Sequence, residues 1–121
     1  MKSKYKYFSE NEFKCDLKPC YTNMNERLIT MLDKAREQAG VPFKITSSWR
    51  SPEHNAKIGG AKNSAHLRGN AVDIACSGSV ERMLIVLALL EVGFERVGIA
   101  KTFIHCDIDE SLPKGVLFLY G

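Results

Sequence analysis

The sequence lacks several features, and each absence closes a line of interpretation. No apolar run approaches the roughly 20 residues that a membrane span takes; the most apolar stretch, Met83 to Leu90, is far shorter. The opening Met1-Lys2-Ser3-Lys4-Tyr5-Lys6-Tyr7-Phe8 is basic and aromatic, with no apolar core or small-residue cleavage site of a secretory signal. The expectation is a soluble product, cytoplasmic as synthesised, with release by a lysis or particle route left open. Charge of one sign is also scarce: 17 Lys+Arg stand against 14 Asp+Glu, a net +3. Nucleic-acid binding usually leaves a strongly basic stripe, so neither nucleic acid nor a membrane is expected as a partner. There are no repeats, low-complexity runs or linkers. A length of 121 residues suits one domain, over 1–121, and a monomer.

What is present reads as alternating short elements. Ser9-Glu10-Asn11-Glu12 has the spacing of a capping box and predicts a short helical turn, followed by a loop over Cys15 to Cys20. Met24, Leu28, Met31, Leu32, Ala35 and Ala39 recur at helical spacing and predict a helix over Asn23 to Ala39, capped by Thr22 or Asn23 and ended by Gly40. Phe43 to Ser47 alternates like a strand. Ser51-Pro52 has the form of an N-cap followed by Pro, opening a short helix to about Ile58 that Gly59-Gly60 breaks. Ala71 to Ala75 predicts a strand. Val80 to Glu91 predicts a helix capped by Ser79, apolar nearly all round and therefore expected to be well buried. Strand-like runs follow at Arg96–Ile99, Phe103–Ile108 and Val116–Tyr120. Helices lead and strands finish, which predicts an α+β fold with helices packed on a small, mainly antiparallel central sheet.

Three histidines are few enough to weigh singly. His66 stands seven residues before Asp73, in Ser64-Ala65-His66-Leu67-Arg68-Gly69-Asn70-Ala71-Val72-Asp73-Ile74. In a strand whose Val72 and Ile74 face the core, Asp73 faces the other way, and in Phe103 to Ile108 the same alternation puts His105 and Asp107 on one side. Two imidazoles and a carboxylate form a reasonable ligand set for Zn²⁺, leaving a fourth position for water. The spacing alone supports this only weakly, because a lone strand histidine is more often structural.

The pattern Ser64-x-His66-x-x-Gly69-x-Ala71-x-Asp73-Ile74, then Phe103-Ile104-His105-x-Asp107, resembles the D-Ala-D-Ala carboxypeptidase family of zinc peptidases. That family includes carboxypeptidases, dipeptidases of the vancomycin-resistance type and L-Ala-D-Glu endopeptidases of phage endolysins. The likeness extends to Phe8-Ser9-x-x-Glu12-Phe13-x-Cys15, to Ile45-Thr46-Ser47-Ser48-Trp49-Arg50-Ser51-Pro52-x-His54-Asn55 and to Gly59-Gly60-Ala61, over roughly residues 8 to 110. The short single-domain branch is the one it is similar to, with a hedgehog/D-Ala-D-Ala peptidase-like fold. The resemblance implies a zinc metallopeptidase acting on peptidoglycan stem peptides, with Zn²⁺ on His66, Asp73 and His105. It implies that Arg50 stabilises the oxyanion, that Ser64 contacts substrate or caps its loop, and that His54 is structural. Gly69 and Ala71 would allow close backbone approach beside the metal.

The sequence departs from the family at one point. The best-known members carry an acid three residues before the last histidine ligand; here that residue is Thr102. Asp107 is the nearest substitute as general base, or else a residue that orients a ligand, with Glu53 and Glu110 as further carboxylates. The functional alternatives are a phage-type L-Ala-D-Glu endopeptidase and a non-catalytic zinc-containing module that binds wall peptides or a protein. Cys106, between Ile104 and Ile108, reads as a small buried hydrophobe, and Cys76 would be its neighbour if the two strands pair. Cys15 and Cys20 could form a local disulfide after export.

Overall fold

The computed structural model describes residues 4–120; Met1–Ser3, which begin the basic aromatic opening, and Gly121 lie outside the described residues. The chain opens with a 3-10 turn, Glu10–Glu12, where the Glu12 carboxylate accepts from the Ser9 N–H at 2.8 Å. The stretch expected to be a loop forms a small hairpin, β1 (Lys14–Cys15) with β2 (Lys18–Pro19). Its two turn residues, Asp16 and Leu17, both take positive φ. The first helix is shorter than the periodicity suggests. Tyr21–Asn23 is a separate 3-10 turn, and α1 runs Glu26–Ala39 with Asn25 as its cap, accepting from the Arg27 N–H at 2.9 Å. Then come β3 (Ile45–Ser47), α2 (Pro52–Lys57, capped by Ser51), β4 (Ala71–Ala75), α3 (Ser79–Glu91), β5 (Arg96–Ile99), β6 (Phe103–Asp107) and β7 (Val116–Leu119).

The main sheet has the order β3-β4-β6-β5-β7. All its pairings are antiparallel except β5 with β7, so the sheet is mixed and the fold α+β. After β6 the chain crosses back over β5 to reach the open edge, which makes β7 parallel to β5. Val72, Ile74, Val97, Ile104 and Cys106 point to one face and join Leu28, Ile29 and Leu32 of α1 and Ile85 and Leu89 of α3 in the core. Each aliphatic side chain among these contributes about 1.5–3 kcal/mol by burial.

Two expectations need correction. In α3 only Ile85, Ala88 and Leu89 are buried; Val80 and Met83 are each 69% exposed, and Leu84, Leu87 and Leu90 are also open. A helix on a five-stranded sheet beside one other helix can bury only one stripe, however apolar the rest. Cys76 and Cys106 are not neighbours, because the β4–β6 register sets Val72 opposite Cys106. All four cysteines are free and buried. No helix among the described residues is long and apolar enough to cross a membrane.

Candidate metal centre

The site lies on the face of the sheet away from α1 and α3. Asp73 on β4 and His105 on β6 are register partners, so one backbone pairing sets them side by side. His66 arrives from a 3-10 turn, Ala65–Arg68, capped by Ser64, whose Oγ accepts from the His66 N–H at 3.2 Å. The turn is fastened to the segment after β3. The Arg50 N–H donates to the His66 carbonyl at 3.0 Å, and Trp49 Nε1 donates to the Leu67 carbonyl at 3.1 Å. The β3–β4 register shifts between Ile45 and Ser47, just before this segment.

Gly69 ends the turn at φ 72°, and a Cβ there would collide with the Asn23 carbonyl. Its close approach is therefore to the chain before α1, not to the metal centre as expected. Ala71, fully buried, starts β4 opposite Asp107.

Asp73 Oδ1 lies 3.3 Å from His66 Nε2 and 3.0 Å from His105 Nδ1, and the three atoms lie within 4.8 Å of one another. Each imidazole is held by its other nitrogen. His66 Nδ1 is 2.8 Å from the Ser48 carbonyl, which can only accept, so Nδ1 donates there and Nε2 is the nitrogen turned to the cluster. His105 Nε2 is 2.7 Å from Asp107 Oδ2, the carboxylate–histidine arrangement that fixes a metal-binding ring. The residues present therefore fit a metal. All three ligands are nearly inaccessible.

Burial alone would raise the Asp73 carboxyl; hydrogen bonds with His105 and His66 outweigh it and hold the group well below the carboxylate range. Burial would lower His105, but its bonds to Asp107 and Asp73 raise it.

Asp107 is fully engaged. Arg96 Nε lies 2.9 and 3.1 Å from its two oxygens, and the Asp109 N–H donates to Oδ1 at 3.1 Å. It sits at the ring nitrogen of His105 that faces away from the cluster. Asp107 holds His105 through Nε2 and also borders a cavity beside the cluster, with His105, Ser64 and Tyr120. Thr102 is exposed and borders no cavity at the cluster. Glu53 lines a different cavity with Trp49, His54 and Lys57, and Glu110 pairs with Lys114 at 2.8 Å on the surface. His54, whose buried Nδ1 meets no hydrogen-bond partner among the described residues, is not part of the His66–Asp73–His105 group.

Arg50 points into a cavity of about 280 Å³ that also borders His66, Asp73, His105 and Ser64. Its guanidinium is aimed by Ser47 Oγ (3.1 Å), Asn55 Oδ1 (3.3 Å) and Asp73 Oδ2 (3.4 Å). Asp73 thus turns one oxygen to the histidines and the other to Arg50. A second cavity, of about 240 Å³, lies between His105, Arg96, Asn63 and Leu112.

Sequence reasoning missed Ser48, Arg96 and the aromatic residues of β7 and its end. Phe118 and Tyr120 lie 5.7 and 6.3 Å, centroid to centroid, from the His105 ring. Their alternation was visible, but not which edge of the sheet the strand would join. Burial, with the Asp73 charge adding to it, pushes the Tyr120 hydroxyl up to about 12. Cys106 is no rival nucleophile: burial pushes its thiol well above the usual range, and the Asp73 and Asp107 charges act the same way.

Comparison with known proteins adds one finding. A family model described as Peptidase M15 matches residues 6–107, which takes in every element through β6. Among curated proteins there is no match.

Proposed function

The chain belongs to the peptidase M15 family, whose members are zinc-dependent peptidases, and on that premise we propose that it hydrolyses a peptide bond in the stem peptides of peptidoglycan. The observation that carries this reading is the convergence of His66 Nε2, Asp73 Oδ1 and His105 Nδ1, with each imidazole held from behind. The chemistry that zinc supplies at that point is polarisation of a carbonyl and activation of water.

The chain's own residues do the rest. Ser48 and Asp107 keep both histidines in the tautomer and orientation that ligation needs. Arg50 donates to the carbonyl oxygen of the scissile bond as negative charge develops there, and it is already aimed by three acceptors. Ser64 borders both cavities and offers a hydroxyl to the peptide backbone. Asp107 acts as a positioning residue. A carboxypeptidase acting on a terminal D-Ala-D-Ala bond is the first form of this reading; an L-Ala-D-Glu endopeptidase uses the same site on an internal bond.

One observation favours a second reading, a zinc-containing binding module. Among the described residues, the cavity beside Arg50 is bordered by no carboxylate other than the ligand Asp73. The test is release of D-alanine or a stem fragment from purified muropeptides by the zinc-loaded protein, with loss in chelator and return on adding zinc. A fully zinc-loaded protein that cleaves no stem peptide overturns the hydrolase and leaves the binding module.

A further inference from the structure

The family match ends at residue 107, yet the wall of the metal centre continues beyond it. β7 lies parallel to β5 with Phe118 beside Gly98, and on the other side of Gly98 lies His105. A Cβ on Gly98 would stand 2.7 Å from carbons of both the Phe118 and Tyr120 rings. The missing side chain is what lets these rings lean across β5 towards His105. Tyr120 is pinned there: its N–H donates to the Ile99 carbonyl at 2.9 Å, and its ring meets Phe103 edge-on at 5.0 Å.

Tyr120 nonetheless remains 46% exposed, an unusual state for a ring with three aromatic neighbours. It borders both cavities at the cluster, one running to Arg50 and Gly59, the other to Asn63 and Leu112. Its hydroxyl meets no hydrogen-bond partner among the described residues. A tyrosine hydroxyl is protonated at neutral pH and therefore donates. An extended peptide with its scissile carbonyl at the cluster has residues on either side of that bond, and Tyr120 is in the lining of both cavities open to them.

We propose that Tyr120 is a substrate-contacting residue: its ring separates two subsites flanking the His66–Asp73–His105 cluster, and its hydroxyl donates a hydrogen bond to a carbonyl or carboxylate oxygen of the peptide bound across them. This rests on the reading of the cluster as a peptidase centre, but it is tested by binding rather than turnover. The probe is a phosphinate analogue of D-alanyl-D-alanine, whose tetrahedral centre imitates the transition state. It is titrated calorimetrically into zinc-loaded wild type, Tyr120→Phe and Tyr120→Ala, with zinc content and melting temperature measured alongside.

A donor to a charged oxygen is worth about 10- to 100-fold in affinity. Tyr120→Phe keeps the ring and should lose that factor with zinc content and melting temperature unchanged; Tyr120→Ala should lose more. Equal affinity in wild type and Tyr120→Phe overturns the hydroxyl contact, since a merely structural ring would survive that change. Failure of zinc-loaded wild type to bind the phosphinate overturns the proposal as well. Wild type that binds the phosphinate but cleaves no stem peptide overturns the hydrolase reading alone, while the variant comparison still decides the role of Tyr120.

Discussion

Along β6 the side chains alternate between two environments that are almost equally dry. Ile104 and Cys106, towards the helices, are both 0% exposed, while His105 and Asp107, on the other face, are 6% and 1% exposed. The helix side is held by shape. Its contacts are non-directional, and their loss is felt as lost burial and an empty cavity. The other side is held by direction. Asp107 accepts from Arg96, His105 and the Asp109 N–H, and each of these positions another group. One strand therefore carries a region that stabilises the fold beside one that aims atoms, and changes on the two faces should separate stability from metal affinity.

The largest effect should come from Asp73→Ala. Removing a ligand oxygen should lower zinc affinity by more than the roughly 10–100-fold typical of losing an outer-shell partner, and with it any cleavage. Competition with a fluorescent chelator measures this. Zinc affinity within tenfold of wild type would break the assignment of the directional face as a metal centre.

On the packed face, Ile104→Ala should destabilise the protein by about 2–5 kcal/mol, read by urea unfolding, while the folded fraction keeps wild-type zinc affinity. A parallel loss of zinc affinity would mean that the two faces are not separable. The third change sharpens the same contrast from further out. Arg96 touches none of the three ligands; it acts through Asp107 and is itself braced by the Pro113 carbonyl at 2.6 Å and the Phe118 ring at 5.4 Å. Arg96→Met keeps much of the side chain's bulk and should lower zinc affinity by roughly 10–100-fold, with Arg96→Lys recovering part of the loss. No change in affinity would reduce Arg96 to a structural brace.

The contrast also explains what could be read from the sequence. The aliphatic alternation of Val72 and Ile74, and of Ile104 and Cys106, repeats with a period of two, so the strands and their core faces were legible, and with them the direction of Asp73 and His105. Family resemblance supplied His66, which sits on an irregular turn that no periodicity marks. The holders were not legible. Ser48 contributes a backbone carbonyl, which no residue type announces; Arg96 matters because the β5–β6 register sets it opposite Asp107, and Tyr120 because β7 crosses to the β5 edge, both facts of topology. The misreading of α3 has the same root. Val80, Met83 and Leu87 are apolar in sequence, and only the width of the sheet decides that they stay exposed.

The smallest effect extends the comparison to the loop behind the metal centre. Asp109 is buried and accepts from Arg68 Nε at 2.6 Å, Asn70 Nδ2 at 3.1 Å and the Ser111 N–H at 3.0 Å, joining the end of β6 to the turn that carries His66. Burial alone would raise its carboxyl; the bonds from Arg68, Ser111 and Asn70 outweigh that and hold it well below the carboxylate range. A folded-state pKa below the unfolded value, about 3.9, means that the charged form favours the folded state. Its contribution is present above pH ~4 and is lost as pH falls further towards the folded pKa. Arg68 is about a third exposed, so solvent screens the pair and the contribution is on the order of 1 kcal/mol. Asp109→Asn should therefore melt a few degrees below wild type at pH 7, both proteins being metal-free in chelator. That gap should narrow steadily below pH 4, because protonation then costs the wild type the charge that the variant already lacks. The packed face has no carboxylate to protonate, so the gap between wild type and Ile104→Ala should stay constant over the same range. If the two gaps behave alike, direction and shape are not the separate sources of stability that the two faces of β6 imply.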